Sequence, residues 1–203
     1  MTDNAIEARG VIAGPPVLSH LTHGKQFLSF VLACTRLSGA TDELPVVAAE
    51  TLGIPPAGDR ALIRGQLRSY NNKSGTGAKL VVFLYAQEII PLDAAESEHP
   101  VAHDNRATLK GTLCKAPILR RTPFGREICD LLLCVPRSYG RADYLPCIAW
   151  GQTARHLALS SPGDHVHIEG RLQSRRYTKT YEDGHGEEKT AFEVSVSEAF
   201  PHP

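Results

Sequence analysis

The sequence predicts an all-β protein made from one small unit used twice, and three observations carry that expectation. A gapless shift of 101 residues pairs Asn4 with Asn105, Gly10 with Gly111, Pro16 with Pro117, Leu32 with Leu133, Arg36 with Arg137 and Asp42 with Asp143. Self-similarity over such a length marks a repeated structural unit. Within each copy, apolar residues alternate with polar ones over short runs, the period of strands. Turn residues separate those runs, and a single stretch carries a helical pattern.

The second copy shows the elements in order. "RATLKGTLC" (106–114) alternates, and "TPFGRE" supplies Pro123 and Gly125 as the turn of a hairpin. "REICDLLLCV" (126–135) and the alternating "DYLPCIAW" (143–150) follow. The helical pattern is "QTARHLALSS" (152–161), stopped by "PGD". "DHVHIEGRLQSRRY" (164–177) and "KTAFEVSVSEAF" (189–200) complete the set. Five strands with a helix between the third and fourth is the layout of an OB-fold, a small Greek-key barrel. Pro146 inside the third strand requires an unpaired side or a bulge there.

The first copy repeats the pattern, and after a small insertion in the second copy "GDRALIRGQLRS" (58–69) resumes the match against "GDHVHIEGRLQS" (163–174). Its helix is replaced by "ETLGIPPAGD" (50–59), where Pro55 and Pro56 leave room only for a short turn. The expected fold is therefore two tandem OB-folds, five-stranded Greek-key barrels, with a clear helix only in the second. The expected organisation is an N-terminal unit over residues 1–90, a linker over 91–104 with prolines and four acids, and a C-terminal unit over 105–203.

Composition narrows the function. The 22 basic residues balance 22 acidic ones, so nucleic-acid affinity has to come from local patches. Residues 1–100 hold eight basic and ten acidic side chains, net −2, against fourteen and twelve, net +2, in residues 101–203. No apolar run approaches the roughly 18 residues that span a bilayer, and the start lacks a secretory pattern. The expectation is a cytoplasmic, nucleoid-associated protein with no membrane partner. The five cysteines contain no C-x-x-C pair and read as small buried hydrophobes in a reducing compartment. His165 and His167 could share a strand face, but no third ligand stands at a usable spacing, so no metal and no cofactor is expected. The segment "DGHGEE" (183–188) reads as a solvated hairpin loop, and no nucleophile elbow, P-loop or H-E-x-x-H motif points to an enzyme.

One repeated phrase carries most of the functional signal. "DYLPCIAWG" (143–151) corresponds to "DELPVVAAE" (42–50). Alternation puts Leu145, Cys147 and Ala149 on the core face, and their counterparts Leu44, Val46 and Ala48 keep that character. The opposite face carries Tyr144 and Trp150, replaced in the first copy by Glu43 and Ala49. Tyr139 and Tyr177 are likewise replaced, by Ser38 and Asn72. Arg137, Arg171, Arg175, Arg176 and Lys179 surround these rings. Aromatics interleaved with cations on a β surface suit single-stranded nucleic acid, because every base offers a π-face and the cations follow the phosphates. The same residue types also suit an oligomer interface. Four rings changing together on one face favour binding.

The run from Asn105 through "LKGTL", the turn at Gly125, "AWG", "PGD" and "EGRLQSRRY" resembles bacterial single-stranded DNA-binding proteins of the OB-fold class. The resemblance covers nearly all of residues 105–200, and residues 4–90 resemble the family more faintly. It matches Tyr139, Tyr144, Trp150 and Tyr177 to the family's base-stacking positions and implies a homodimer carrying four OB-folds. It implies a DNA-binding C-terminal unit and an N-terminal unit that is degenerate for stacking and serves as scaffold or in dimerisation. The family generally ends in a tail with an acidic tip, whereas this sequence ends at "SEAFPHP", and "RSYGRAD" is a short loop. Both features are similar to primosomal replication protein N.

The expected function is sequence-tolerant single-stranded DNA binding in support of replication, recombination or repair, without catalysis. RNA is an open alternative ligand, since stacking discriminates the sugar poorly. A different class of function is a protein-interaction OB module of a primosome-like or conjugation assembly.

Overall fold

The structure, a computed structural model, describes residues 3–73, 79–93, 104–180 and 184–201. Most of the expected linker, 91–104, and the start of the 183–188 loop lie outside the described residues. The first half contains β1 (Asn4–Ile12), β2 (Val17–Thr22), β3 (Lys25–Thr35), β4 (Thr41–Ala49), β5 (Arg60–Asn71) and β6 (Leu80–Leu92). The second contains β7 (Asn105–Leu113), β8 (Ile118–Arg121), β9 (Glu127–Arg137), β10 (Arg141–Trp150), α1 (Gly151–Leu157), β11 (His165–Thr180) and β12 (Gly186–Pro201).

Two separate five-stranded barrels do not form. All twelve strands join one sheet in the order β2-β3-β4-β6-β5-β1-β7-β11-β12-β10-β9-β8. Within each half the first and third strands meet over two residue pairs only, Val11 with Ala33 and Ile12 with Leu32, and Thr112 with Cys134 and Leu113 with Leu133. The edge this leaves on β1 is taken by β7, antiparallel from Asn4 opposite Leu109 to Ala8 opposite Asn105. A strand edge left open is a row of unpaired donors and acceptors, and each copy covers the other's. The hydrophobic core is correspondingly continuous, running from Ile6, Leu44 and Leu84 in one half to Leu109, Leu145 and Val194 in the other.

Each half has six strands because "PPVLSHLT" and "APILRR" add short edge strands, β2 and β8, exposed throughout. The helix α1 is shorter than the pattern 152–161 and buries Ala154 and Leu157; residues 50–52 form a single 3-10 turn in its place in the first half. Pro45 and Pro146 fit because the parallel ladders to β6 and β12 begin one residue later, at Val46 and Cys147. The repeat also preserves one irregularity: the β5–β6 and β11–β12 ladders shift register at Gly65 and Gly170. A Cβ at either glycine would overlap the carbonyl oxygen of Tyr85 or Ser195 across the bulge.

The aspartates of the repeated phrase hold the halves together. Asp143 is fully buried, and its carboxylate accepts the Ser69 backbone N–H at 2.7 Å and ion-pairs with Arg68 at 3.1 Å and Arg137 at 3.4 Å. Asp42, 1% exposed, mirrors it by accepting the Ser174 N–H at 2.8 Å and the Arg36 guanidinium at 2.7 Å. The serine hydroxyls answer: Ser69 Oγ accepts the Tyr144 N–H at 2.7 Å, and Ser174 Oγ the Glu43 N–H at 3.1 Å.

Candidate nucleic-acid interface

The alternation of β10 puts Leu145, Cys147 and Ala149 in the core, and Tyr144 and Trp150 on the outward face at 43% and 39% exposure. Pro146 and Ile148, between the rings, are half-buried and buried. Six residue steps along the strand separate Tyr144 from Trp150, about 20 Å. Tyr177, on β11 opposite Lys189, is also partly exposed. Tyr139 stands free in the turn between β9 and β10, 100% exposed, with a left-handed backbone at φ 62°. A non-glycine residue there is strained, and here the strain presents a ring to solvent. All four rings of the second half singled out in the sequence are therefore in contact with water.

The predicted cations are mostly engaged. Arg137 belongs to the Asp143 cluster, and Arg171 lies 3.9 Å from Asp42 and 3.4 Å from the Gln173 amide oxygen. Burial, then the neighbouring Arg36, lowers the Arg171 pKa. Arg175 donates to Glu193 at 3.2 Å while its guanidinium lies 5.5 Å from the Tyr177 ring centre, so it fixes that ring as well as charging the face. Arg176 reaches Glu43 of the first half at 3.5 Å. Lys179 is exposed near the end of β11. Exposed residues of the same half that were not singled out in the sequence include Arg126, Arg141 and Phe124, the last 92% exposed at the tip of the β8–β9 hairpin. The position of Phe124 in the turn "TPFGRE" was the available signal, since a turn tip has no core to face.

The first-half face is not stripped of rings; they have moved. On the second half Ile128 pairs with Trp150, and at the equivalent place Phe27 pairs with Ala49. Three more outward positions carry Tyr70, Phe83 and Tyr85, where the second half has Arg175, Glu193 and Ser195. Phe27 lies 6.1 Å from Tyr85 and Tyr70 lies 6.2 Å from Phe83, while the Arg68 guanidinium sits 5.8 Å from the Tyr85 ring centre. A comparison confined to four aligned positions misses rings that cross to a neighbouring strand. The alternation Val81, Phe83, Tyr85 against buried Val82, Leu84, Ala86 is the signal that would have found them.

Among the described residues no group of three or more His, Cys, Asp or Glu side chains is placed to hold a metal ion, and no helix is long and apolar enough to cross a membrane. Cys34, Cys129 and Cys147 are buried and Cys114 is exposed. Burial, reinforced by Asp42 and Asp104, pushes the Cys34 thiol up to about 12, and burial raises that of Cys147 further.

Residues 104–200 match the model of the Single-strand binding protein family. Single-stranded DNA-binding protein B of Bacillus subtilis is 38% identical over 80 residues, covering 36% of this chain and 71% of that protein. Single-stranded DNA-binding protein 2 of Listeria innocua is 33% identical over 97 residues, 44% of this chain and 58% of that protein. The chain spans about half the length of most curated relatives it matches. Over the whole chain, the solved structure of the wild-type single-stranded DNA binding protein from Thermus aquaticus superposes with a TM-score of 0.77 at 22% identity, covering 98% of this chain and 93% of that one. At that identity the likeness is one of fold.

Proposed function

The chain belongs to the bacterial single-stranded DNA-binding protein family, and from that membership we propose that its second half binds single-stranded DNA without regard to sequence. The binding serves replication, recombination or repair and involves no catalysis. Bases stack on Tyr139, Tyr144, Trp150 and Tyr177, and phosphates are neutralised by Arg175, Arg176 and Lys179, with Arg137 and Arg171 holding the surface in shape through Asp143 and Asp42. The observation that carries this reading is the exposure, 38–100%, of Tyr144 and Trp150 on β10, Tyr177 on β11 and Tyr139 in the β9–β10 turn. Rings in water cost free energy that a stacked base recovers, about 1–3 kcal/mol per base. The first half braces this face, because Glu43 and Ser69 bond to β11 and β10.

Trp150 is the only tryptophan, so its fluorescence reports on this face alone. Titration with dT oligomers is expected to quench it, with affinity falling with salt at a slope of about −0.7 per phosphate contacted. Trp150→Ala and Tyr177→Ala, followed with an end-labelled oligomer, are each expected to lose about 1 kcal/mol or more. Wild-type affinity in both variants would sink the stacking model. The reading includes a homodimer, which light scattering tests as twice the chain mass. RNA competes to the extent that stacking, rather than the sugar, sets affinity.

A further inference from the structure

We propose that Cys114 and Cys134 close to a reversible disulfide under oxidising conditions, a redox-sensitive clamp on the seam where β7 meets β9. The clamp does not depend on what the second half binds.

Three observations support it. First, the two residues are neighbours across the seam. Thr112 pairs with Cys134 in the β7–β9 ladder and, two residues on, the Cys114 N–H donates to the Leu132 carbonyl at 2.9 Å. Side chains two apart on a strand share a face, so both thiols stand on one side of the sheet, diagonal to each other. The Cys134 thiol lies within hydrogen-bonding reach of Cys114. A diagonal pair stands about 7–8 Å apart at Cα and a disulfide needs less than about 7 Å, so closure takes a shift of about 1 Å. Cys114 can supply it, because β7 ends at Leu113 and the next residues, Lys115 and Ala116, are exposed. Second, both thiols are open to a reagent: Cys114 is exposed and Cys134 half-buried, whereas Cys34, Cys129 and Cys147 are buried. Third, the fold does not require sulfur at either place. The 101-residue shift aligns Ala13 with Cys114 and Ala33 with Cys134. The same backbone is kept there, with Val11 paired to Ala33 and the Ala13 N–H donating to the Val31 carbonyl at 2.9 Å. Two neighbouring positions thus differ together between the copies, and in the second both carry the side chain that can join them.

The oxidant is a low-molecular-weight disulfide, RSSR. The Cys114 thiol gives its proton to water and its thiolate attacks one sulfur of RSSR; that S–S bond breaks, and RS⁻ leaves and takes up a proton. Cys134 then loses its proton and attacks Cys114 Sγ, expelling the second RS⁻, which is protonated in turn. Two protein thiols become one disulfide, and RSSR, having accepted two electrons and two protons, becomes two RSH. Partial burial, then the charge and hydrogen bond of Cys134, raise the Cys114 pKa. Thiolate is therefore scarce at neutral pH, and the first step quickens as pH rises. The ring so closed, residues 114–134, encloses β8 and the β8–β9 hairpin and pins a seam otherwise made of two residue pairs. Constraining the unfolded chain in this way stabilises the fold.

The test exposes the fully reduced chain to oxidised glutathione and follows it by mass spectrometry and peptide mapping. The expected product is two hydrogens lighter than the reduced chain, with one disulfide joining Cys114 to Cys134, and dithiothreitol reverses it. Its rate should rise about tenfold per pH unit between pH 7 and 8. Cys134→Ala, which installs the residue of the first half, should instead stop at one glutathionyl group on Cys114, and Cys114→Ala should form no internal disulfide. Oxidation should raise the urea midpoint of the wild type and leave that of both variants where it was. A glutathionyl group that stays on Cys114 in the wild type, a disulfide mapped to Cys147 or to a second chain, or a wild-type midpoint that oxidation does not move would each overturn the proposal.

Discussion

Replacing Asp143 tests the physical claim on which the binding face depends, that a buried carboxylate joins the two halves. Asp143→Ala removes the acceptor of the Ser69 N–H, leaving a buried donor orphaned at about 1–3 kcal/mol. It also strands Arg68 and Arg137, whose side chains are 19% and 30% exposed. Breaking a fully buried pair costs about 3–5 kcal/mol, but these guanidinia can partly rehydrate, so the combined loss is about 3–4 kcal/mol. Asp143→Asn keeps an oxygen for the Ser69 N–H and loses only the charge, and about 1–2 kcal/mol is expected. Urea unfolding followed by Trp150 fluorescence and by circular dichroism measures both, with the slope m unchanged. The exposed Arg120–Asp130 pair is the control, since Asp130→Ala should cost less than about 1 kcal/mol. An Asp143→Ala loss no larger than that of the control would refute the inter-half clasp.

The continuous core and sheet predict that fluorescence and circular dichroism report one coincident transition rather than two. Gly170→Ala places a methyl against the Ser195 carbonyl and should lower stability by about 1–3 kcal/mol, read from the urea midpoint. A thiol reagent at mildly alkaline pH should label Cys114 in the native state and Cys34, Cys129 and Cys147 only on unfolding. Because the Cys34 thiol is raised to about 12 on folding, the unfolded chain loses its proton first. Stability is therefore complete below the ordinary thiol range and falls as pH rises toward 12, by about 2–3 kcal/mol at pH 11, and Cys34→Ala should flatten that decline.

The features legible in the sequence are those set by the core. Alternation exposed β7, β10 and the duplication because Leu109, Leu145 and Val194 must face inward wherever the unit is used. The strands β2 and β8 were not legible, since residues exposed throughout leave no alternation to read. The joining of the copies was hidden for a different reason. Asn4–Ala8 and Asn105–Leu109 read as ordinary strands, and nothing in either says that its open edge meets the other. Among the site residues, the rings of β10 were legible from the loss of aromatics at Glu43 and Ala49. The engagement of Arg171 was not, because its carboxylate partner Asp42 becomes a neighbour only once the halves pack, whereas Arg137 meets Asp143 across the β9–β10 ladder of its own half.

The two faces also explain why the repeated phrase changed where it did. Asp42 and Asp143 each serve the opposite half, so neither copy can lose its aspartate without weakening both. Leu44, Val46 and Ala48, like Leu145, Cys147 and Ala149, are held by the core. That leaves the outward row as the part of the phrase free to vary. Exchanging the pair Ile128–Trp150 for Phe27–Ala49 keeps one ring in the same cross-strand row while moving it from the fourth strand of the unit to the third. Replacing Arg175 and Glu193 by Tyr70 and Phe83 trades an ion pair for two rings. Glu193 is buried and also accepts the Gln173 amide, so the trade removes a nearly buried carboxylate together with its partner while changing what the face can hold. The asymmetry between the halves is thus a difference in where the rings stand and how the charge is arranged around them, on a scaffold whose buried positions both copies retain.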